Sequence, residues 1–326
     1  MTRNEELENL YGPAAKDLPA VTELIQSVAS QPELEFLRQM LSAALAGTGK
    51  LLRPAISLLS ARLGEYDLSL AAPLAASVEL LHTATLVHDD VIDQADQRRG
   101  KPTPNALFGN SASVMLGDYM FANAADFIAQ TDKPVVVRKF AKTIMEMAQG
   151  ELVQDSHVFE YSDDINRYLN QIRGKTAVLF ATAAEGGAIV CDADPNIISA
   201  MRGYGMNLGM AFQVVDDILD FTGDASLMGK PIGSDLMSGN ITLPAILYMQ
   251  KNPSNPIQHA FEGVRRTSNI KKAIKEILAD DSIFWEAKNI AREMCDEARE
   301  SIDDLPDSIE KKILLNLVEY TFSREH

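Results

Sequence analysis

Leu68-Ser-Leu-Ala-Ala-Pro-Leu-Ala-Ala-Ser-Val-Glu-Leu-Leu-His82-Thr-Ala-Thr-Leu-Val-His88-Asp89-Asp90-Val91-Ile92-Asp93 is the stretch whose reading decides the fold. Residues 68–87 are the most apolar run in the chain, broken by Pro73 and Glu79, and they lead straight into an acidic cluster. A membrane span needs about 20 uninterrupted apolar residues, which this run does not supply. It predicts instead a helix buried in a protein core, and burying such a helix takes other helices packed on all its sides.

The flanking sequence agrees. Ala, Leu, Met, Glu and Gln dominate, and apolar residues recur at three- and four-residue spacing, as in Ile283, Phe284, Ala287, Ile290, Ala291, Met294 and Cys295. No Val/Ile/Thr-rich run bounded by turn residues predicts a strand. Gly and Pro punctuation at 47–49, 100–104, 131–134, 192–195, 223–239, 252–256 and 303–306 divides the chain into roughly ten helices with short connections. No low-complexity linker intervenes, so residues 1–326 are expected to form one large all-α domain.

Composition narrows the partners. The 326 residues are 46% hydrophobic and 23% charged, as a globular protein with a large core requires. With 30 basic and 46 acidic residues the net charge is −16, which argues against a nucleic-acid backbone as the main partner. Two cysteines, Cys191 and Cys295, exclude a disulfide scaffold and fit a reducing compartment. The start, Met1-Thr-Arg-Asn-Glu-Glu-Leu-Glu, lacks the apolar core of a secretory signal. A cytoplasmic protein without a transmembrane segment is expected.

The acidic end of the long apolar run has a counterpart. His88-Asp89-Asp90-Val91-Ile92-Asp93 and Val215-Asp216-Asp217-Ile218-Leu219-Asp220 both read Asp-Asp-apolar-apolar-Asp. In each, the first and last aspartates share a helix face, where like charges repel, and they lie near a helix C-terminus, where carboxylates oppose the macrodipole. A cation relieves both costs. Oxygen-only donors suit a hard ion such as Mg²⁺, which takes one or two carboxylates and completes its shell with water and substrate phosphate. An EF-hand would need alternating ligands, a central Gly and a Glu at the twelfth position, and neither segment has them.

Basic residues answer the acids. Arg98-Arg99-Gly100 follows the first cluster, offering either a helix cap or two anion-binding forks. Gly47-Thr-Gly-Lys50-Leu-Leu-Arg53-Pro54 reads as a glycine-containing loop entering a helix, a natural anion site. It is not a nucleotide-binding P-loop, because Ala44 and Leu51 stand where Gly and Ser/Thr are required. His82 lies two helical turns before Asp89 on the same face. Arg173-Gly174-Lys175-Thr176, the loop Gly229-Lys230-Pro231-Ile-Gly-Ser-Asp235, and Gln213 three residues before Asp216 complete the set.

This constellation resembles the trans-isoprenyl (polyprenyl) diphosphate synthases. The matching residues are Gly49-Lys50-x-x-Arg53-Pro54, His82, His88-Asp89-Asp90-x-x-Asp93, Arg98-Arg99-Gly100, Gly117-Asp118, Gly174-Lys175-Thr176, Gln213-x-x-Asp216-Asp217-x-x-Asp220 and Gly229-Lys230-Pro231-x-Gly-x-Asp235. The resemblance implies an all-α fold around a deep central cavity, with the two clusters facing each other across its mouth. It implies head-to-tail condensation of isopentenyl diphosphate with an allylic diphosphate. Six aspartates (89, 90, 93, 216, 217 and 220) belong to the metal clusters. Asp89 and Asp93 would hold two Mg²⁺, and Asp216 would help hold a third. Arg98, Lys175, Thr176, Gln213 and Lys230 match positions that bind the allylic diphosphate. Lys50, Arg53, His82 and Arg99 match those that bind isopentenyl diphosphate. A homodimer is implied, although some long-chain members work with a second, different subunit. One departure is Asn240, where many members carry Lys; it removes one cationic contact.

In this family bulky side chains just before the first cluster end chain growth. Here Ala84 and Thr85 are small, with Leu81 one turn earlier, which predicts a hexaprenyl-to-decaprenyl product rather than farnesyl or geranylgeranyl diphosphate. Met120, Phe121 or Phe127 would then form a deeper floor. Two other readings are a shorter-chain synthase and a non-catalytic partner subunit. A terpene cyclase would normally lack the second Asp-Asp-x-x-Asp, a head-to-head synthase shows Asp-x-x-x-Asp, and a helical metal-storage bundle needs Glu-x-x-His pairs.

Overall fold

A computed structural model describes residues 3–46, 49–98, 100–223, 231–263 and 265–324. Among them the chain is helical almost throughout. The exception is a two-residue antiparallel pair, Gln97–Arg98 with Lys101–Pro102, in register Arg98↔Lys101. The sequence predicts no strand here, because two residues either side of a Gly-containing turn give no period-2 pattern. Gly100, at φ +72, supplies the left-handed turn residue.

Two compact units can be distinguished. The first comprises residues 1–143, 179–205 and 301–317. Its spine is the Leu68–Ile92 helix, capped at its start by Asp67, whose side chain accepts from the Ser69 N–H at 2.8 Å. By length and composition alone this helix is apolar enough to cross a membrane, yet 67% of its most apolar window is buried inside the protein. Asn110–Ala129, Leu52–Ala61 and Leu18–Ser30 pack on it. The Ser77 hydroxyl donates to the Ala124 carbonyl at 2.7 Å, tying the Leu68–Ile92 and Asn110–Ala129 helices together inside the core.

The second unit comprises residues 144–178, 206–300 and 318–326. Its core gathers Tyr168, Val214, Ile218, Phe221, Leu247 and Ile277. The Asp281–Ser301 helix buries Ile283, Ala287, Ala291 and Cys295, the three- and four-residue stripe expected from its sequence.

Candidate active site

In the first unit, the Leu68–Ile92 helix carries Leu81, His82, Ala84, Thr85, Asp89 and Asp90 and ends with Asp93 as its C-cap. The three aspartates have different surroundings. Asp89 is half-buried and Asp93 exposed. Asp90 is buried, and it accepts from Arg98 Nε at 2.8 Å. Burial pushes the Asp90 carboxyl above the usual carboxylate range, Arg98 pulls it back and Asp93 adds to the rise. Arg98 therefore sits on the short hairpin rather than on a helix cap.

The residue before the cluster is held from the side. His88 Nε2 lies 3.0 Å from the Val114 carbonyl, which can only accept, so this nitrogen carries the proton. Asp118 Oδ1 is 3.6 Å away and the Phe121 ring stands edge-on at 5.1 Å. A Cβ at Gly117 would collide with the His88 ring, so only glycine admits the imidazole there. Phe121 thus lies level with the cluster, while Met120 and Phe127 are buried in the packing of their helix.

The same unit holds Lys50, exposed, and Arg53, half-buried in the first turn of the Leu52–Ala61 helix. The Arg53 guanidinium carbon lies 4.3 Å from the centre of the Phe180 ring. Ala84 and Leu81 are wholly buried. Thr85 is half-buried and donates its hydroxyl to the His82 carbonyl at 2.7 Å.

In the second unit the expected residues form one hydrogen-bonded chain. Thr176 Oγ1 donates to Gln213 Oε1 at 2.7 Å, and Gln213 Nε2 donates to Asp217 Oδ1 at 2.8 Å. The Tyr168 hydroxyl donates to Asp217 Oδ2 at 2.6 Å. Asp217 is buried, and its carboxyl is pushed up to about 8 by burial first and the nearby Asp235 second, while Tyr168 and Gln213 oppose the rise. Asp220, also buried, accepts from Ser234 Oγ at 2.7 Å and anchors the segment after the cluster. Asp216 remains 43% exposed and pairs with Arg324.

Lys175 lies in the five-residue π-helical turn Arg173–Ala177, a geometry that recurs at functional sites. Its Nζ is 2.7 Å from Glu151 Oε2 and 3.2 Å from Gln154 Oε1. The turn comes close because Gly150 faces it: a Cβ there would stand 3.0 Å from the Lys175 nitrogen. Glu151, Gln154, Tyr168 and Arg324 contact these candidate residues directly, and sequence reasoning missed them. A glycine inside a long helix, followed by Glu and three residues later by Gln, was the one available signal for the first two. An open cleft beside them is lined by Gln154, Arg167, Tyr168, Gln171 and Asn240. Arg99, Gly229 and Lys230 lie outside the described residues.

Among the described residues no three His, Cys, Asp or Glu side chains form a ready-made metal cage. The donor sets still fit a hard ion that uses one or two carboxylates per site. Each cluster already attracts a guanidinium, Arg98 at Asp90 and Arg324 at Asp216, which shows the sign of charge that these helix ends favour.

Comparison with known proteins follows the same lines. A family model described as polyprenyl synthetase matches residues 34–279. The heptaprenyl diphosphate synthase component 2 of Geobacillus stearothermophilus is 35% identical over 98% of this chain and 100% of its own. Two solved structures superpose with a TM-score of 0.89 and 32% identity. A polyprenyl synthase from Caulobacter crescentus, in complex with calcium and isoprenyl diphosphate, covers 99% of this chain and 98% of its own. A decaprenyl diphosphate synthase from Rhodobacter capsulatus covers 99% of both chains.

Proposed function

The chain belongs to the polyprenyl synthetase family, and on that premise we propose that it is a trans-polyprenyl diphosphate synthase, a prenyltransferase joining isopentenyl diphosphate head to tail to an allylic diphosphate. The observation that carries this reading is the pair of Asp-Asp-x-x-Asp helix ends, each with a guanidinium drawn against it.

Arg98, Lys175, Thr176, Gln213 and Lys230 hold the allylic diphosphate. Lys50, Arg53, His82 and Arg99 hold isopentenyl diphosphate. Asp89 and Asp93 would hold two Mg²⁺, and Asp216 would help hold a third. Asp90, Asp217 and Asp220 complete the clusters from their buried positions. When bound, Mg²⁺ neutralises charge on the diphosphate leaving group. The fixed cations of the protein add to that effect as the allylic C–O bond breaks and its electron pair leaves with diphosphate. The isopentenyl double bond attacks the allylic carbon, a C–C bond forms, and the proton lost to the departing diphosphate restores a double bond. Apolar walls exclude water, which would otherwise convert the cation to an alcohol; Leu81, Leu86 and Val87 fit that role.

The product is of hexaprenyl-to-decaprenyl length, supported by small, buried Ala84 and by relatives named for heptaprenyl and decaprenyl diphosphate. The protein works as a single domain over residues 1–326, as a cytoplasmic homodimer. Two buried, free cysteines support the reducing location. Exposed apolar side chains such as Met115 on the Asn110–Ala129 helix support self-association. The relative named component 2 favours one second reading, a catalytic subunit that needs a different partner chain.

Mixing the purified protein with Mg²⁺, isopentenyl diphosphate and farnesyl diphosphate should release diphosphate. Absence of release from folded, dimeric protein would remove the catalytic homodimer reading and leave the partner-dependent one.

A further inference from the structure

Two aromatic side chains brace the basic loop of the first unit. The Tyr11 ring, at the end of the Arg3–Tyr11 helix, is wholly buried. A buried phenol needs a partner for its hydroxyl, and this one donates to the Lys50 carbonyl at 2.5 Å, across 39 residues of sequence. The bond falls on the peptide that leads into Leu51, whose φ of 56 and ψ of 34 are left-handed. A non-glycine residue keeps such a conformation only where its surroundings over-determine it. Here the Tyr11 bond fixes one side and the buried Leu51 side chain the other. Two residues on, the Arg53 guanidinium stacks 4.3 Å above the wholly buried Phe180 ring. Stacking fixes the plane of a guanidinium fork, and with it the direction in which the fork meets phosphate oxygens.

We infer that Tyr11 and Phe180 are positioning residues for isopentenyl diphosphate: Tyr11 sets where Lys50 stands and Phe180 sets how Arg53 is oriented. This rests on the assignment of Lys50 and Arg53 to that substrate. Neither aromatic residue needs to touch substrate, so their loss should weaken one binding event and spare the chemistry.

Steady-state kinetics of Tyr11→Phe, Phe180→Leu and Phe180→Tyr test this, with Arg53→Gln as the reference variant and thermal melting to verify folding. One hydrogen bond predicts that Tyr11→Phe raises KM for isopentenyl diphosphate about five-fold. The kcat and the KM for the allylic substrate should stay within about two-fold of wild type on the same scale. Phe180→Leu should behave likewise, and Phe180→Tyr, which keeps the ring, should give a value closer to wild type than Phe180→Leu does. Tyr11→Phe removes a single oxygen atom, so it decides the matter even if Phe180→Leu does not fold. If Arg53→Gln raises KM for isopentenyl diphosphate while Tyr11→Phe leaves it unchanged, the positioning role is wrong and the site assignment stands. If Arg53→Gln also leaves it unchanged, the assignment fails and the inference falls with it.

Discussion

Arg324 reaches Asp216 at 2.8 Å while its guanidinium carbon lies 3.8 Å from the centre of the Phe212 ring. The same guanidinium donates to the Phe212 carbonyl at 2.7 Å. One cation near the end of the chain thus occupies the aspartate assigned to the third metal. Replacing it with Gln should destabilise the metal-free protein by about 1 kcal/mol, from the lost stacking and a partly screened ion pair. It should also strengthen Mn²⁺ binding measured by calorimetry, because Asp216 no longer has a competing partner. Unchanged Mn²⁺ affinity would show that the ion pair and the metal do not compete.

Ala84 is wholly buried on the helix that carries the first cluster. Ala84→Phe should shorten the product towards farnesyl or geranylgeranyl diphosphate and cost about 1–3 kcal/mol in stability from overpacking. Radiolabelled products separated by chromatography give the answer. A folded variant that keeps wild-type length would place the floor elsewhere, with Met120 or Phe127 next to test.

Gly117 leaves room for the His88 ring. Gly117→Ala should displace His88 and with it the helix end bearing Asp89 and Asp93. A fall in kcat of about ten-fold or more is expected, since small displacements of positioned groups are costly. A half-saturating Mg²⁺ concentration raised in the same variant would trace the loss to the cluster.

Asn240 lines the cleft beside Gln154 and Tyr168. Asn240→Lys introduces the cation that the family resemblance implies for this position. It should lower KM for the allylic substrate about five-fold, the worth of one hydrogen bond, and leave KM for isopentenyl diphosphate unaltered. The second KM separates this effect from a general gain in positive charge.

Burial pushes the Cys191 thiol above the usual thiol range and the Cys295 thiol up to about 11. A thiol with a raised pKa keeps its proton until the pH approaches that value, so at pH 8 little reactive thiolate exists. Alkylation followed by mass spectrometry should therefore be slow in the native protein and fast in denaturant.

Much of this was legible from residues alone. The uninterrupted helical spacing predicts an all-α fold, and the repeated Asp-Asp-x-x-Asp predicts two cation sites because the electrostatic cost of each is readable from helix geometry. The hidden parts depend on contacts distant in sequence. Tyr168 meets Asp217 across 49 residues, and nothing local to either marks the pairing. Arg324 meets Asp216 only because the Ile309–Ser323 helix brings the chain end back. The different fates of the last aspartates are likewise tertiary: identical motifs give exposed Asp93 but buried Asp220, because Ser234 and the Asp235 backbone close over the second cluster. The break at 157–164 has neither Gly nor Pro and turns on the left-handed Phe159, at φ 60.

Product analysis tests the central claim most directly. Purified protein with Mg²⁺, radiolabelled isopentenyl diphosphate and a farnesyl or geranylgeranyl primer should yield all-trans diphosphates of hexaprenyl-to-decaprenyl length, and Asp89→Asn or Asp216→Asn should abolish them. A folded protein that gives no elongated product, or that stops after a single addition to farnesyl diphosphate, would contradict it.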